Sequence, residues 1–579
     1  MLTLLIKIAL LMLSNLGYWE FFRSKSRLNV YFLPAFTIGT QFLVLFAAGV
    51  LNFLAEAAYA VYILGLLLFL GALRKEKGGL LKPYLNWGYG FLAVVTVLAA
   101  LEVRGQLFSL YDSFSHWALV VRNILSTDGF PNFADEVITF QSYPLGSASY
   151  LYYFCKMTGA GEDVQMLAQV FMTLCMILPL FAYVKKNPLV CTVFLTLLTN
   201  FFLCYISDIL DISVDTLLPL TGMAAVLLLH HECLAPEETE RRSVFYAVPL
   251  LCLTVQIKNS GIFFAAAGAV LLLASMKKDR KDILSKLAAA ASPAAVLLLW
   301  SRHCDYVFAR AAATKHSMRA DWYSSIFAEK SPEDIRIIVG KVAKYAVTRK
   351  ELLCLVLWLA VLGIMVWLFA GALKKPYLRL LAWSAGLYVV YVIGIMGMYL
   401  FSMPLEEALS VGSLSRYAKT LDIALYYLMA CCAVSVLSRT EEKRLRAAAG
   451  TVLVVLMVGT WGTQLGSFKT IFEQSRVDLH NSIQRRLDFE EVLAEYGVPA
   501  ESSYFICIPE EDYGYIYFLC KYLMDSANLD AVLIREEAQL EQAREYEFFI
   551  NLDEDNPVIQ KWLEENFPGM ADKQVLYIA

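Results

Sequence analysis

The chain has 579 residues, 58% of them hydrophobic, with a mean hydropathy of +0.55 and a formal net charge of −4. Soluble domains average about 45–50% apolar residues, and a membrane span needs about 20 mostly apolar residues in a row. Many such runs occur here, unbroken by the alternation that marks a transmembrane barrel, so the composition excludes both a wholly soluble protein and a barrel.

The runs predict a polytopic α-helical membrane protein of about 14 transmembrane helices. In chain order they lie near 2–17, 29–51, 53–73, 87–104, 163–184, 188–206, 215–231, 244–257, 260–276, 286–301, 352–372, 378–401, 421–438 and 447–466. The first lacks a basic leading region and a small-residue cleavage site, so it reads as a retained span. Lys and Arg concentrate in alternate loops, such as Arg74/Lys75/Lys77/Lys82 and Lys277/Lys278/Arg280/Lys281. By the positive-inside rule this places the N-terminus outside. The long loops 105–162, 302–351 and 402–420 then fall on the extracytoplasmic face, with the short segments 207–214 and 258–261.

Residues 1–466 form the predicted membrane domain and 467–579 a small soluble extracytoplasmic domain. From residue 471 onward there are 23 acidic and 8 basic residues, a balance of −15, which leaves +11 for the rest. That +11 sits in short loops between spans and does not point to nucleic acid. In the tail, strand-like runs (YFICIP, AVLI, YEFFINL, QVLYIA) alternate with helix-like ones, which predicts an α/β unit with a partly parallel sheet. Of twelve cysteines most lie in apolar runs, and none has metal-site spacing. Cys507 and Cys520 could pair if the tail is extracytoplasmic.

The first long loop is dense in ionisable and aromatic residues for a segment beside a bilayer. Asp112 opens it and is a candidate general base or a helix N-cap. SFSHWALVVRNI follows with an amphipathic pattern, Trp117, Val120, Val121 and Ile124 sharing one side, which predicts a helix lying along the interface. FQSYPLG, containing Tyr143, then breaks the chain before an aromatic run, and His116 has a supporting place four residues after Asp112.

DSFSHW…FP…FQSYPLG resembles the first outer loop of the GT-C superfamily of integral-membrane glycosyltransferases, which includes the protein mannosyltransferases and the lipid A aminoarabinose transferases. The likeness covers about residues 85–470. It departs from the family pattern in having Ser113 where a second acid is common, Leu145 for a second Pro, and four predicted spans ahead of the loop. The resemblance implies a GT-C-like fold and Asp112 as the catalytic base. It also implies a polyprenyl-phosphate-sugar donor and transfer to a glycan, lipid or protein acceptor in the cell envelope. A bacterial cell membrane is the expected setting.

Further residues fit that reading. Asp208, Asp211 and Asp215 have helical spacing at an outer junction, where GT-C relatives often carry an acid facing the cavity. Asp211 and Asp215 are candidate pocket residues, and carboxylates alone leave room for a divalent cation such as Mg²⁺ or Mn²⁺. Lys258, between two apolar runs, would be costly unpaired, and a lipid-linked phosphate would offset that cost. Arg416 and Tyr417 resemble a late GT-C element near the donor phosphate, and Arg suits the phosphate fork. Lys315 and Arg319, in the cationic loop 302–351, are candidate phosphate ligands in a lid. The alternatives are a polymerase or ligase acting on lipid-linked oligosaccharide, and a flippase or transporter.

Overall fold

The structure is a computed structural model that describes residues 2–76, 78–205, 211–234, 243–309, 320–462, 483–570 and 573–578. The chain packs as two units. One comprises Met1–Gln106, Ile124–Phe130 and Phe140–Phe468, the other Leu107–Asn123, Pro131–Thr139 and Lys469–Ala579.

The helices are, in order, α1 (Leu2–Ser26), α2 (Leu33–Val50), α3 (Leu54–Glu76), α4 (Trp87–Val103), α5 (Ala118–Thr127), α6 (Gly146–Thr158), α7 (Glu162–Ile177), α8 (Pro188–Tyr205), α9 (Leu217–Leu228), α10 (Val248–Ile257) and α11 (Gly261–Ala274). There follow α12 (Arg280–Val307), α13 (Ala320–Ala328), α14 (Pro332–Thr348), α15 (Lys350–Phe369), α16 (Lys374–Phe401), α17 (Leu405–Ser410), α18 (Leu414–Arg439) and α19 (Lys443–Gly462). Each of the fourteen predicted runs lies on a helix, the last as far as residue 462. Among the described residues ten helices are long and apolar enough to cross a membrane, and α4, α11 and the segment Val244–Ile257 are shorter apolar helices. The protein is a polytopic helical membrane protein.

Inside this unit the burial is graded. α7 is buried along its length and α9 and α18 along most of theirs, whereas α3, α15 and α16 turn Leu67, Leu368 and Ile393 outward. Exposed apolar faces of this kind would be unstable in water and are at home in lipid. Helices meet through side-chain-to-backbone bonds as well as packing: Ser14 Oγ donates to the Tyr62 carbonyl (2.9 Å) and Tyr18 OH to that of Val61 (2.7 Å), joining α1 to α3.

The second unit holds a four-stranded sheet in the order β2-β1-β3-β4, from β1 (Tyr504–Cys507), β2 (Leu529–Val532), β3 (Phe548–Asn551) and β4 (Val575–Tyr577). β1 runs parallel to β2 and β3, and β4 is antiparallel to β3, so the sheet is partly parallel as its sequence pattern predicts. β1 is buried at every residue, as a central parallel strand must be. Helices α20 (residues 483–495), α21 (Tyr515–Met524) and α22 (Pro557–Asn566) complete it. Trp562 of α22 packs on Phe549 of β3 (5.5 Å between ring centroids). Cys507 and Cys520 are buried free thiols.

The expected division at 466/467 needs correction. Residues Leu107–Asn123 and Pro131–Thr139 of the first long loop belong to the C-terminal unit. The reason is specific packing on α21: Phe114 meets Tyr515 and Tyr522 (5.7 and 5.4 Å), and Arg122 donates to the backbone carbonyls of Tyr522 and Leu523. Arg486 of α20 donates to the Phe108 carbonyl (2.7 Å), and Lys521 to Thr139 Oγ1 (3.1 Å). The expected interfacial helix is likewise corrected. Residues 113–121 are buried on every side, not on one apolar face.

Candidate functional site

Four of the residues singled out in the sequence, Tyr143, Asp215, Lys258 and Tyr417, line one cavity of about 690 Å³ in the first unit, and a fifth, Arg416, is held against Asp215. The cavity is built from helix ends. Asp215 precedes α9, Lys258 sits in the break between α10 and α11, Tyr391 to Phe401 end α16, and Tyr417 and Thr420 begin α18.

Local structure fixes each charged group. α10 stops at Lys258, whose backbone is extended (φ −159°, ψ 150°). The Gly261 N–H donates to the Lys258 carbonyl (2.8 Å), closing a tight turn. A side chain at 261 would collide with the backbone carbonyl of Thr254, so only glycine allows the turn. Asp215 is placed by a loop that Gln169 of α7 pins, its amide donating to the Ser213 carbonyl (3.0 Å). Arg416 follows a strained strap in which Val411 and Ser413 both have left-handed backbone (φ +49° and +58°). Such a conformation in a β-branched residue is an outlier that the surroundings must hold. Here Lys341 donates to the Leu409 carbonyl (2.7 Å) and Tyr399 OH to that of Gly412 (2.5 Å).

The charges converge on one carboxylate. Lys258 Nζ donates to Asp215 Oδ1 at 2.7 Å, and Arg416 Nε stands 3.6 Å from Asp215 Oδ2. Side-chain exposure is 11% for Lys258, 4% for Asp215 and 35% for Arg416, so the lysine pair is buried and the arginine borders solvent. The Tyr417 ring lies 5.6 Å from Lys258 Nζ and 5.9 Å from the Arg416 guanidinium carbon, and offers its negative face to both. Burial pushes the Asp215 carboxyl up, but Lys258 and Arg416 outweigh it and hold the group below the ordinary carboxylate range. Burial pulls Lys258 down, and Asp215 more than reverses this, so the ammonium is held above its usual value. Burial pushes the Tyr143 hydroxyl up to about 12, against the opposing pull of Lys258; it is a neutral hydrogen-bonding group. The other lining is mostly apolar, with Ile262, Phe263, Ile395, Met398 and Phe401.

The remaining sequence candidates are not among the residues lining this cavity. Asp112 and His116 belong to the second unit. Asp112 is half-buried and opens the π-helical turn Ser113–Trp117, and His116 is buried against Trp117 (4.6 Å). Asp211 is buried but does not line the cavity. The expected helical face of Asp208, Asp211 and Asp215 is corrected: residues 211–215 are not helical, and Gln169 takes up the Ser213 carbonyl. Asp208, Lys315 and Arg319 lie outside the described residues. Among the described residues no three His, Cys, Asp or Glu side chains gather to hold a metal ion.

Tyr391 and Thr420 line the cavity and were not foreseen, though polar side chains within apolar runs are the signal; Tyr323, from the expected lid loop 302–351, lines it too. A second omission is Asp422, fully buried within α18. Arg349 Nη1 and Nη2 donate to its two oxygens (2.9 and 2.5 Å), and Tyr205 OH donates to Oδ2 (2.9 Å). An acid inside LDIALYYLMACC was the available sign, since a membrane helix keeps one only with a partner. No protein family, no curated protein and no solved structure matches this chain.

Proposed function

We propose that the chain is a GT-C-type glycosyltransferase that moves a sugar from a polyprenyl-phosphate-linked donor to a cell-envelope acceptor, on the extracytoplasmic face of a bacterial cell membrane. The observation that carries this reading is the meeting of Lys258 and Arg416 on Asp215 in a cavity whose other lining is largely apolar. A lipid-linked phosphate has the matching halves, an anion for the two cations and a hydrocarbon chain for the apolar lining. In the empty site Asp215 is the counter-ion. When donor binds, its phosphate shares the cations, and they neutralise the charge that grows on the phosphate oxygen as its bond to the anomeric carbon breaks.

The acceptor oxygen attacks that carbon from the opposite face, so the configuration inverts, as in a single-displacement hydrolase. The acceptor proton passes to Asp112 as general base, a role that rests on the resemblance of DSFSHW…FQSYPLG to the GT-C loop. The acceptor is a glycan, a lipid or a protein.

The test is mass spectrometry of the host's surface glycans with the wild-type chain and with Asp112→Asn. The expected result is one sugar added by wild type and about a hundredfold or greater loss in the variant, with polyprenyl-phosphate binding retained. Transfer of whole oligosaccharides would make it a polymerase or ligase instead. An unchanged glycan profile on removal of the chain would refute the reading.

A further inference from the structure

The first unit has a second cavity, of about 240 Å³, lined by Cys233, Leu234, Ser243, Val244, Ser275, Lys277, Asp282, Ser285 and Lys286. It lies at the other end of the helices that build the first one. Asp215 precedes α9 whereas Cys233 and Leu234 follow it; Lys258 follows α10 whereas Val244 precedes it; Gly261 starts α11 whereas Ser275 ends it. The 14 residues of α11 alone separate the two by about 21 Å.

The lining is polar and charged. Lys286 of α12 is 3% exposed, and its ammonium donates to the Ser275 carbonyl (2.5 Å) and to Asp282 Oδ2 (2.9 Å). An ammonium carries three donors, so one buried N–H remains beside the cavity with no acceptor among the described residues. Asp282 Oδ2 accepts both from Lys286 and from the Lys277 backbone N–H (2.8 Å). The charged lining is Lys277 and Lys286 against Asp282, a net of +1, and residues 277–286 carry five basic and two acidic side chains. Among the described residues this balance favours an anion with spare acceptor oxygens, which can take up the remaining Lys286 N–H. Its place between apolar helices, beside a basic loop, fits the headgroup of a membrane lipid better than a free ion, because basic pockets between spans take anionic headgroups.

We propose that this cavity binds the phosphate of an anionic lipid in the leaflet opposite the first cavity, with Lys286 and Lys277 as the ligands. The inference does not depend on the glycosyltransferase reading.

The test uses the full chain in phosphatidylcholine nanodiscs containing a minor fraction of photoactivatable phosphatidylglycerol, with labelled peptides mapped by mass spectrometry. Label is expected within residues 275–286, about tenfold reduced in Lys286→Gln, the loss of one charge-assisted hydrogen bond. Lys277→Gln alters only an exposed side chain and is expected to reduce labelling with the fold intact, and Ser285→Phe is expected to abolish it by filling the cavity. Equal labelling of all three variants, or equal labelling by a photoactivatable phosphatidylcholine, would overturn the proposal. So would displacement of the lipid probe by inorganic phosphate alone at the same phosphate concentration, which would assign the site to the free ion.

Discussion

Replacing Asp215 with Asn removes the one carboxylate that neutralises Lys258 and borders Arg416, and the structure sets the size of the effect. Breaking a buried ion pair by deleting one partner costs about 3–5 kcal/mol, because the other charge stays buried and unpaired. Lys258 and Asp215 are buried and 2.7 Å apart, which argues for the full range. The adjoining cavity admits water, and Asn keeps an acceptor for the ammonium, so about 3 kcal/mol is expected. Arg416, a third exposed, adds little because solvent screens it. The assay is unfolding of the wild-type and variant proteins in nanodiscs, with and without a short-chain isoprenyl phosphate. The variant is expected to be the less stable when empty and to gain more from the ligand than wild type does, because an anion now restores the missing charge. An Asp215→Asn protein as stable as wild type, or one that gains no more from the phosphate, would refute the idea that Asp215 holds the place of a bound anion.

The ion pair also sets a pH window. Asp215 is held below its ordinary value, so its contribution is present above the unfolded carboxylate pKa of about 4 and is lost as pH falls through the lowered one. Lys258 is held above its ordinary value, so its contribution is complete below the unfolded pKa of about 10.4 and is lost as pH rises through the raised one. Isoprenyl-phosphate binding should therefore vary little with ionisation of these groups between about pH 5 and 10, and a titration showing a Lys258-dependent midpoint near neutrality would contradict this. In α18, Arg349→Met should destabilise by about 3–5 kcal/mol by stranding Asp422, and Arg349→Met with Asp422→Leu should recover most of it; denaturant unfolding of the single and double variants checks this. Trp562→Ala in the second unit removes a side chain that is 1% exposed. It should cost about 3–5 kcal/mol, read as protease susceptibility of residues 483–570 with the membrane helices unaffected.

What was legible in the sequence follows the range of the forces involved. Hydropathy is a local property, and each predicted run lies on a helix. The strand-like runs YFICIP and YEFFINL became β1 and β3 for the same reason. The pattern of Trp117, Val120, Val121 and Ile124 correctly marked a helix but not its surroundings, since the Tyr522 backbone that Arg122 meets is 400 residues away. The acidic spacing at 208–215 suggested a helical face, yet Gln169 competes for the loop backbone and the helix begins only at Leu217. Lys258 was recognisable as a costly charge in apolar surroundings, and Arg416 by its likeness to a late GT-C element. That both would meet Asp215 depends on how α9, α10, α11 and α18 pack, which local pattern does not encode. Asp422 carried the same kind of signal and was passed over because its partner, Arg349, sits at the edge of a different span.

The central claim is that Lys258 and Arg416 hold the phosphate of a lipid-linked sugar from which the sugar departs. The direct measurement is release of radiolabelled sugar from a polyprenyl-phosphate donor by the purified full chain in nanodiscs, compared with Lys258→Gln and Arg416→Gln at matched folded concentration. The account predicts that label leaves the lipid with the wild-type chain, and that each variant transfers at least tenfold less, the equivalent of one charge-assisted contact to the leaving group. Label that stays on the lipid with the wild-type chain, or transfer at equal rates by all three proteins, would contradict it.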